Sequence, residues 1–364
     1  MKLIPRAMLS GPISMVHFIT KNCNARCTHC FIDFDDPATF KGELTVEEID
    51  RVTRSVGWQL RNVNLTGGEP FLRKDIFKIA QCYLTNTGIR SIYITTNGYY
   101  IERTRDFVER YLAGGYDKNH TLFFSVSVDD HPDAHDQNRK VEGLFKRAME
   151  TLRLLDTYRS RRIYANVNLT VIPANYQHIG KVYDYLIEEE GVRSFTTTIM
   201  REEGVATIDP ALRAGLYTAY RDLNQRIKGD LLAGRIQGFE GTGLGDLVNA
   251  KNVVLHDQIE KAFKSGEFIS TCYAGEVFLV LEANGDVRPC EVLPTVIGNV
   301  RASGYDLGRI WRSAEALNAR RFIVDTDCHC TYECAWSLNT LVDAKYYPQL
   351  LSSLIRLKTR KLAV

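Results

Sequence analysis

The sequence predicts an α/β fold, a partial (β/α)6 TIM-like barrel followed by a small C-terminal α+β domain. Short β-branched runs alternate with longer helical stretches from residue 13 to about 200, the pattern of a parallel sheet with helices outside it. Six strand–helix units fit there, fewer than the eight of a closed barrel. After residue 205 the alternation ends, and 364 residues leave room for a second unit at roughly 150 residues per domain. The expected division is 1–235 and 236–364.

Taken in order, residues 13–19 form the first strand and lead into a cysteine-bearing loop. Thr45 and Glu48 stand at capping-box spacing, so a helix starts there. Residues 62–66 are a strand that ends in a glycine turn, and a helix over about 74–87 stops at Gly88. Strands follow at 91–96, 122–128, 163–171 and 194–200, with helices over 101–113, 143–157 and 177–190. A long helix near 210–232 runs into the glycine-rich stretch 238–245. No Lys-Ser or Lys-Thr follows, so this is a flexible linker rather than a phosphate loop. Asn284-Gly285, between the β-rich segments 276–281 and 286–288, signals a hairpin that leads directly to Cys290. Residues 354–361 form a basic amphipathic helix, expected to dock on the core rather than on a membrane.

Apolar residues at 45% and charged residues at 25% exclude a disordered or collagenous chain. Lys and Arg total 46 against 44 Asp and Glu, and a net charge of +2 carries no electrostatic footprint for nucleic acid. There is no apolar run of about 18 residues and no signal-peptide pattern, so a cytoplasmic location is expected, with neither a nucleic-acid nor a membrane partner. An odd count of nine cysteines in a reducing compartment does not make a disulfide framework. Cys23, Cys27 and Cys30 form one group, and Cys272, Cys290, Cys328, Cys330 and Cys334 another. Cys82 stands alone in a helical apolar pattern and is expected in the core.

Cys23-x3-Cys27-x2-Cys30 supplies three thiolates, whereas a structural zinc normally takes four ligands and His29 adjoins Cys30 too closely to join them. Three thiolates on a 4Fe–4S cube leave one iron open. Cys23-Asn-Ala-Arg-Cys27-Thr-His29-Cys30 resembles the CX3CXφC motif of the radical S-adenosylmethionine (SAM) enzymes. In that family the open iron binds SAM, whose reductive cleavage gives a 5′-deoxyadenosyl radical that abstracts a hydrogen atom. Gly67-Gly68-Glu69-Pro70 resembles the family's GGEP. By that resemblance the glycines let backbone approach the methionine part of SAM, and Glu69 accepts from its ammonium. Thr96 and Asn97 close the third strand as in family members, although Asn97-Gly98 is also an ordinary turn pair. Ser127-Val-Asp129, with His135-Asp136 and Arg139, resembles the SxD…HDxxR stretch. It places Ser127 and Asp129 near the ribose and Arg139 on the SAM carboxylate, unless Arg139 is a surface residue at a helix start. Asn168 and Met200 are carried over for ribose and adenine contact, Met200 being equally suited to the core.

The second cysteine group resembles the SPASM/twitch auxiliary-cluster domains of one branch of that family, through Gly285-x4-Cys290, Gly298-Asn299-Val300 and Ile310-Trp311. Five cysteines are too few for two fully ligated clusters, so one auxiliary 4Fe–4S cluster is expected. Cys272, Cys290 and Cys334 are joined by Cys330 or Cys328, with Cys330 favoured by family spacing. A zinc ribbon is the alternative for four thiolates. The resemblance implies an oxidative modification completed with the auxiliary cluster, and electron supply by a flavodoxin or ferredoxin. The short stretch before residue 13 leaves no room for a leader-binding domain. This points to a small metabolite such as a sugar or aminocyclitol alcohol, with ribosomal-peptide maturation as the alternative. A non-catalytic iron–sulfur or zinc scaffold leaves the Gly67–Pro70 motif and Arg139 without a purpose. His131, His135 and Asp130 follow the fourth strand, where a proton-transfer group is conceivable, but no acid–base residue is assigned.

Overall fold

A computed structural model describes residues 11–200, 209–239, 245–265 and 268–360. Six parallel strands form the barrel wall: β1 (Ser14–Thr20), β2 (Asn62–Gly67), β3 (Ser91–Thr96), β4 (Thr121–Ser127), β5 (Ile163–Val171) and β6 (Phe195–Ile199). They stand in the order β6-β5-β4-β3-β2-β1. The helices between them are α1 (Val46–Val56), α2 (Ile76–Asn86), α3 (Ile101–Ala113), α4 (Pro132–Arg139), α5 (Leu144–Asp156) and α6 (Ile179–Glu188). Ser91–Thr96, Ile101–Ala113, the fifth strand and Asp286–Arg288 fall where the sequence places them, the last helix starts at Tyr347 rather than 354, and the remaining predicted elements shift by one or two residues at their ends. Such shifts are ordinary for frayed termini.

The alternation within the strands explains the cavity they enclose. Val63 and Leu65 of β2, Ile92 and Ile94 of β3, and Val167 and Leu169 of β5 are fully buried beneath the helices. Their neighbours Asn62, Asn64, Ser91, Tyr93, Asn168 and Thr170 point the other way and line the lumen. The apolar side therefore builds the core, and the polar side is left for a site. Thr45 caps α1 by accepting from Glu48 N at 3.2 Å, while Glu48 accepts from Thr45 N at 2.9 Å. Cys82 is buried in α2, as expected.

Beyond β6 come α7 (Pro210–Ala233) and α8 (Gly245–Ser265). The sequence reading passes over α8 and also over α4, whose eight residues are mostly polar. Residues 240–244 of the glycine-rich stretch lie outside the described residues. The expected hairpin is present as β7 (Phe278–Leu281) and β8 (Asp286–Arg288), followed by β9 (Gly298–Asn299). Strand β7 pairs parallel with β1, so the described residues form one continuous nine-stranded sheet. The chain closes with α9 (Leu307–Trp311), α10 (Ala314–Asp325), α11 (Glu333–Val342) and α12 (Tyr347–Arg360). Helix α12 packs on α8 and buries Leu350 and Leu357, so the predicted docking on the core is present. Among the described residues no helix is long and apolar enough to cross a membrane.

The capping box doubles as a tie to the C-terminal part, because Arg301 and Tyr305 also bond Glu48. Thr45→Ala is expected to cost about 1 kcal/mol in urea unfolding. A change well below half that value would mean that the Arg301 and Tyr305 bonds hold the helix start unaided.

Candidate active site

The first cysteine group lies in the loop after β1, tied by its backbone to the end of α4. Arg26 N donates to Arg139 O at 3.0 Å, and Thr28 N donates to Asn138 O at 3.1 Å. The Thr28 hydroxyl also bonds Asn138 Oδ1. Cys23, Cys27 and Cys30 are free thiols that face one cavity. Cys23 Sγ accepts from Ala25 N at 3.4 Å. Burial pushes the Cys23 thiol up to about 12 and raises Cys27 and Cys30 in the same direction. Desolvated thiols that nonetheless receive backbone N–H donors suit ligands whose negative charge is supported by bound metal, as in an iron–sulfur cluster.

Gly67 and Gly68 have a reason internal to the fold. A Cβ on Gly67 would strike the Thr20 carbonyl oxygen, and one on Gly68 would strike that of Asn22. The bare backbone instead bonds these oxygens, Gly68 N to Thr20 O at 2.9 Å and Glu69 N to Asn22 O at 2.8 Å. Glu69 is fully buried and does not line the cavity. Its carboxylate accepts from Phe71 N at 3.0 Å, Thr96 Oγ1 at 2.8 Å and Asn97 N at 2.7 Å. Burial pushes it up to about 7 against the pull of those donors. In this geometry Glu69 joins the ends of β2 and β3, where the sequence reading expected it to face an ammonium. Asn97 is both turn and site residue. It accepts from Tyr99 N at 2.9 Å, its amide reaches Asn24 Oδ1 at 2.9 Å, and Gly98 takes φ +78°.

A buried ion pair supports the opposite side. Arg139 donates through Nε and Nη2 to Asp129 Oδ2, each at 2.8 Å, and both residues are buried. Burial alone would raise the Asp129 carboxyl, but Arg139, His29 and His135 together hold it below the usual carboxylate range. Arg139 lines the cavity, so it is not a surface residue, while Asp129 sits behind it and orients it. His29 stands 4.0 Å from Asp129 Oδ2 and faces the cavity. Ser127, Asn168 and Met200 also line it, and the half-buried Met200 belongs to that wall rather than to the core. His131, His135 and Asp130 do not line the cavity. His135 accepts from Asp129 N, and Asp130 pairs with His178.

The cavity measures about 1570 Å³. Its far wall comes from α8 and α11 and includes Lys251, Glu333 and Cys334, with Glu291 nearby, none of which except Cys334 stands out in the sequence. The apolar periodicity of α8, with Val254, Leu255 and Ile259 buried, is the signal that could have found that wall. Cys272, Cys290, Cys328, Cys330 and Cys334 all pack on one small cluster around Val277, Phe278 and Tyr332. Of these five, Cys334 alone is part of the cavity lining. Cys290 Sγ accepts from Leu293 N at 3.3 Å, burial pushes Cys272 up to about 11, and Cys290 raises Cys328 further. The donor set fits a cluster here for the same reason as at the first loop.

Comparison with known proteins places both halves. A profile for the Radical SAM superfamily matches residues 18–186, and one for the SPASM iron–sulfur cluster-binding domain matches residues 272–335. The AdoMet-dependent heme synthase of Methanosarcina barkeri is 28% identical over 330 residues, 86% of each chain. The solved structure of anSMEcpe with bound AdoMet superposes with a TM-score of 0.63 at 15% identity, covering 96% of this chain and 98% of the other. Streptococcus suis SuiB bound to its precursor peptide SuiA gives 0.58 at 18% identity, covering 87% and 68%.

Asp129→Asn leaves the Arg139 charge buried without its counter-ion and is expected to lower stability by about 3–5 kcal/mol. Adding Arg139→Met should recover part of that loss. Equal stability of Asp129→Asn and wild type in chemical denaturation would show that the pair is not carrying the loop.

Proposed function

The chain belongs to the radical SAM enzymes and carries a SPASM iron–sulfur domain, and on that footing we propose that it oxidises a small metabolite inside the cavity between its two cysteine groups. Its cofactors are a SAM-binding 4Fe–4S cluster, an auxiliary 4Fe–4S cluster and S-adenosylmethionine. When bound, the first cluster with SAM supplies a 5′-deoxyadenosyl radical and the auxiliary cluster supplies an electron acceptor. Cys23, Cys27 and Cys30 hold the first; Cys272, Cys290, Cys334 and either Cys328 or Cys330 hold the second. Residues 1–235 then form the radical core and 236–364 the auxiliary domain. The observation that carries this reading is the shared cavity, lined at once by Cys23, Cys27, Cys30 and Cys334. A substrate lying there would give up a hydrogen atom to the 5′-deoxyadenosyl radical on one side, and on the other an electron to the auxiliary cluster and a proton to solvent, a net two-electron oxidation.

The chain's own residues bind and orient. Arg139 has two N–H bonds committed to Asp129 and keeps its others for the SAM carboxylate. Gly67, Gly68 and the Thr96-Asn97 turn present backbone beside Cys23, while Ser127, Asn168, His29 and Met200 frame the nucleoside. A flavodoxin- or ferredoxin-type donor supplies the electron. For the substrate we infer an apolar body in place of the sugar or aminocyclitol alcohol expected from sequence. Leu247, Val248, Leu255, Leu338 and Leu341 supply apolar surface on the helical wall, with Asn252, His256, Glu333 and Ser337 between them for polar arms. The relative from Methanosarcina barkeri is named for making heme, an apolar macrocycle with carboxylate arms.

Reconstituted protein is expected to hold about eight irons, two cubes of four. About four would remove the auxiliary cluster from the scheme, and about twelve would show further ligands. Cys27→Ala should abolish reductive SAM cleavage, measured as 5′-deoxyadenosine. A folded Cys290→Ala variant should instead keep cleavage within about threefold and lose about four irons. Loss of cleavage in that variant would mean that the second cluster serves the first.

A further inference from the structure

Lys251 lies on α8 with its side chain in the helical wall of the cavity. Its ammonium donates to Ser337 Oγ of α11 at 2.7 Å. Among the described residues no carboxylate stands within ion-pair distance of it, whereas Lys21, Lys228 and Lys345 all have such partners. Burial disfavours its charge, while Cys334, three residues before Ser337 on α11, favours it. A partly buried cation is costly unless something neutralises it. Leu247 and Leu255 stand one helical turn to either side of it on the same lining, which also carries Asn252, His256, Glu333 and Ser337.

We infer that Lys251 is the anchor for a carboxylate of the substrate, holding an apolar body against α8 and α11 with its reactive carbon turned towards the barrel mouth. This rests on the oxidative reading of the cavity and adds the charge of the ligand and the residue that selects it. The opposite wall carries neutral amides and hydroxyls, Asn64, Asn168, Thr170 and Thr198, which fit the uncharged parts of a ligand, while Arg61, Arg90, Lys118 and Arg162 line the cavity at the strand starts. A carboxylate at Lys251 adds a counter-ion beside Cys334 in a partly desolvated place, where charge-assisted bonds are strongest.

The test uses reconstituted holoenzyme with SAM and two probe pairs, protoporphyrin IX with its dimethyl ester and decanoate with decanol. Binding is followed by absorbance for the porphyrins and by isothermal titration calorimetry for the ten-carbon pair, in wild type and variants alike. Wild type should bind each acid at least tenfold more tightly than its neutral analogue. Lys251→Met should erase that difference and leave the neutral analogues unchanged, and Lys251→Arg should restore most of it. Anion preference for decanoate alone would support the anchor while removing the tetrapyrrole as substrate class. Equal binding of acid and neutral analogue by wild type would overturn the anchor. So would Lys251→Met that keeps the preference but alters the electron paramagnetic resonance signal of the auxiliary cluster, since the charge would then belong to the cluster. Thermal melts of both variants separate these outcomes from unfolding; equal loss of preference in a folded Lys251→Arg would show a helix staple and overturn the anchor as well.

Discussion

The close approach of β2's end to the loop after β1 is the constraint on which the rest of the site depends. Two successive residues without side chains let carbonyls of Thr20 and Asn22 be bonded directly by the next turn. Glu69 then carries the constraint to a third strand through Thr96 and Asn97. Three strand ends are thereby locked around Cys23, and Asn97 reaches back to Asn24 beside it. A carboxylate spent on three protein donors is a positioning group. Its burial is tolerated because each donor offsets part of the lost hydration.

Around that lock the barrel divides its labour by strand periodicity. One face of each strand supplies the apolar contacts that make the fold stable, so the other face can be polar without cost to the core. Asn166, for example, donates to Thr196 Oγ1 at 2.7 Å, and Thr196 donates to Asn168 Oδ1 at 3.1 Å, a small network that keeps the amides oriented. The thiols follow a different rule. They are desolvated enough to stay protonated alone, so ligation by iron and release of protons go together, and the folded loop and the loaded loop are thermodynamically linked.

Much of this was legible in the sequence because local signals and global pattern agreed. The Thr45–Glu48 box, the Asn284-Gly285 hairpin and the alternation from residue 13 onwards all specify elements by short-range chemistry. What escaped was decided by tertiary contact. Helix α4 has Pro132 at its start and few apolar residues, and its last residue is buried only because Asp129 faces it. Asp129 and Arg139 could be named as a pair of site residues, but not that one stands behind the other. Helix α8 has an ordinary apolar stripe and was hidden by the glycine-rich stretch before it, and with it went Lys251 and the whole far wall.

Sheet continuity finally explains why two cysteine groups separated by some 240 residues of sequence can serve one cavity. Strand β7 pairs with β1 from Ser14–Phe278 to His17–Leu281, so the hairpin that ends at Cys290 grows from the same strand that launches Cys23. Hydrogen-bonded register leaves little freedom between neighbouring strands, because a slip of one residue would turn every side chain to the wrong face. Phe278 of β7 lines the cavity and also packs among the auxiliary cysteines, so one side chain of the shared sheet touches both the cavity and the second centre. Their separation is thus built into the sheet, while α8, which holds none of the nine cysteines, forms the part of the wall most free to vary. Selection of the substrate falls to that wall, and the chemistry to the sheet.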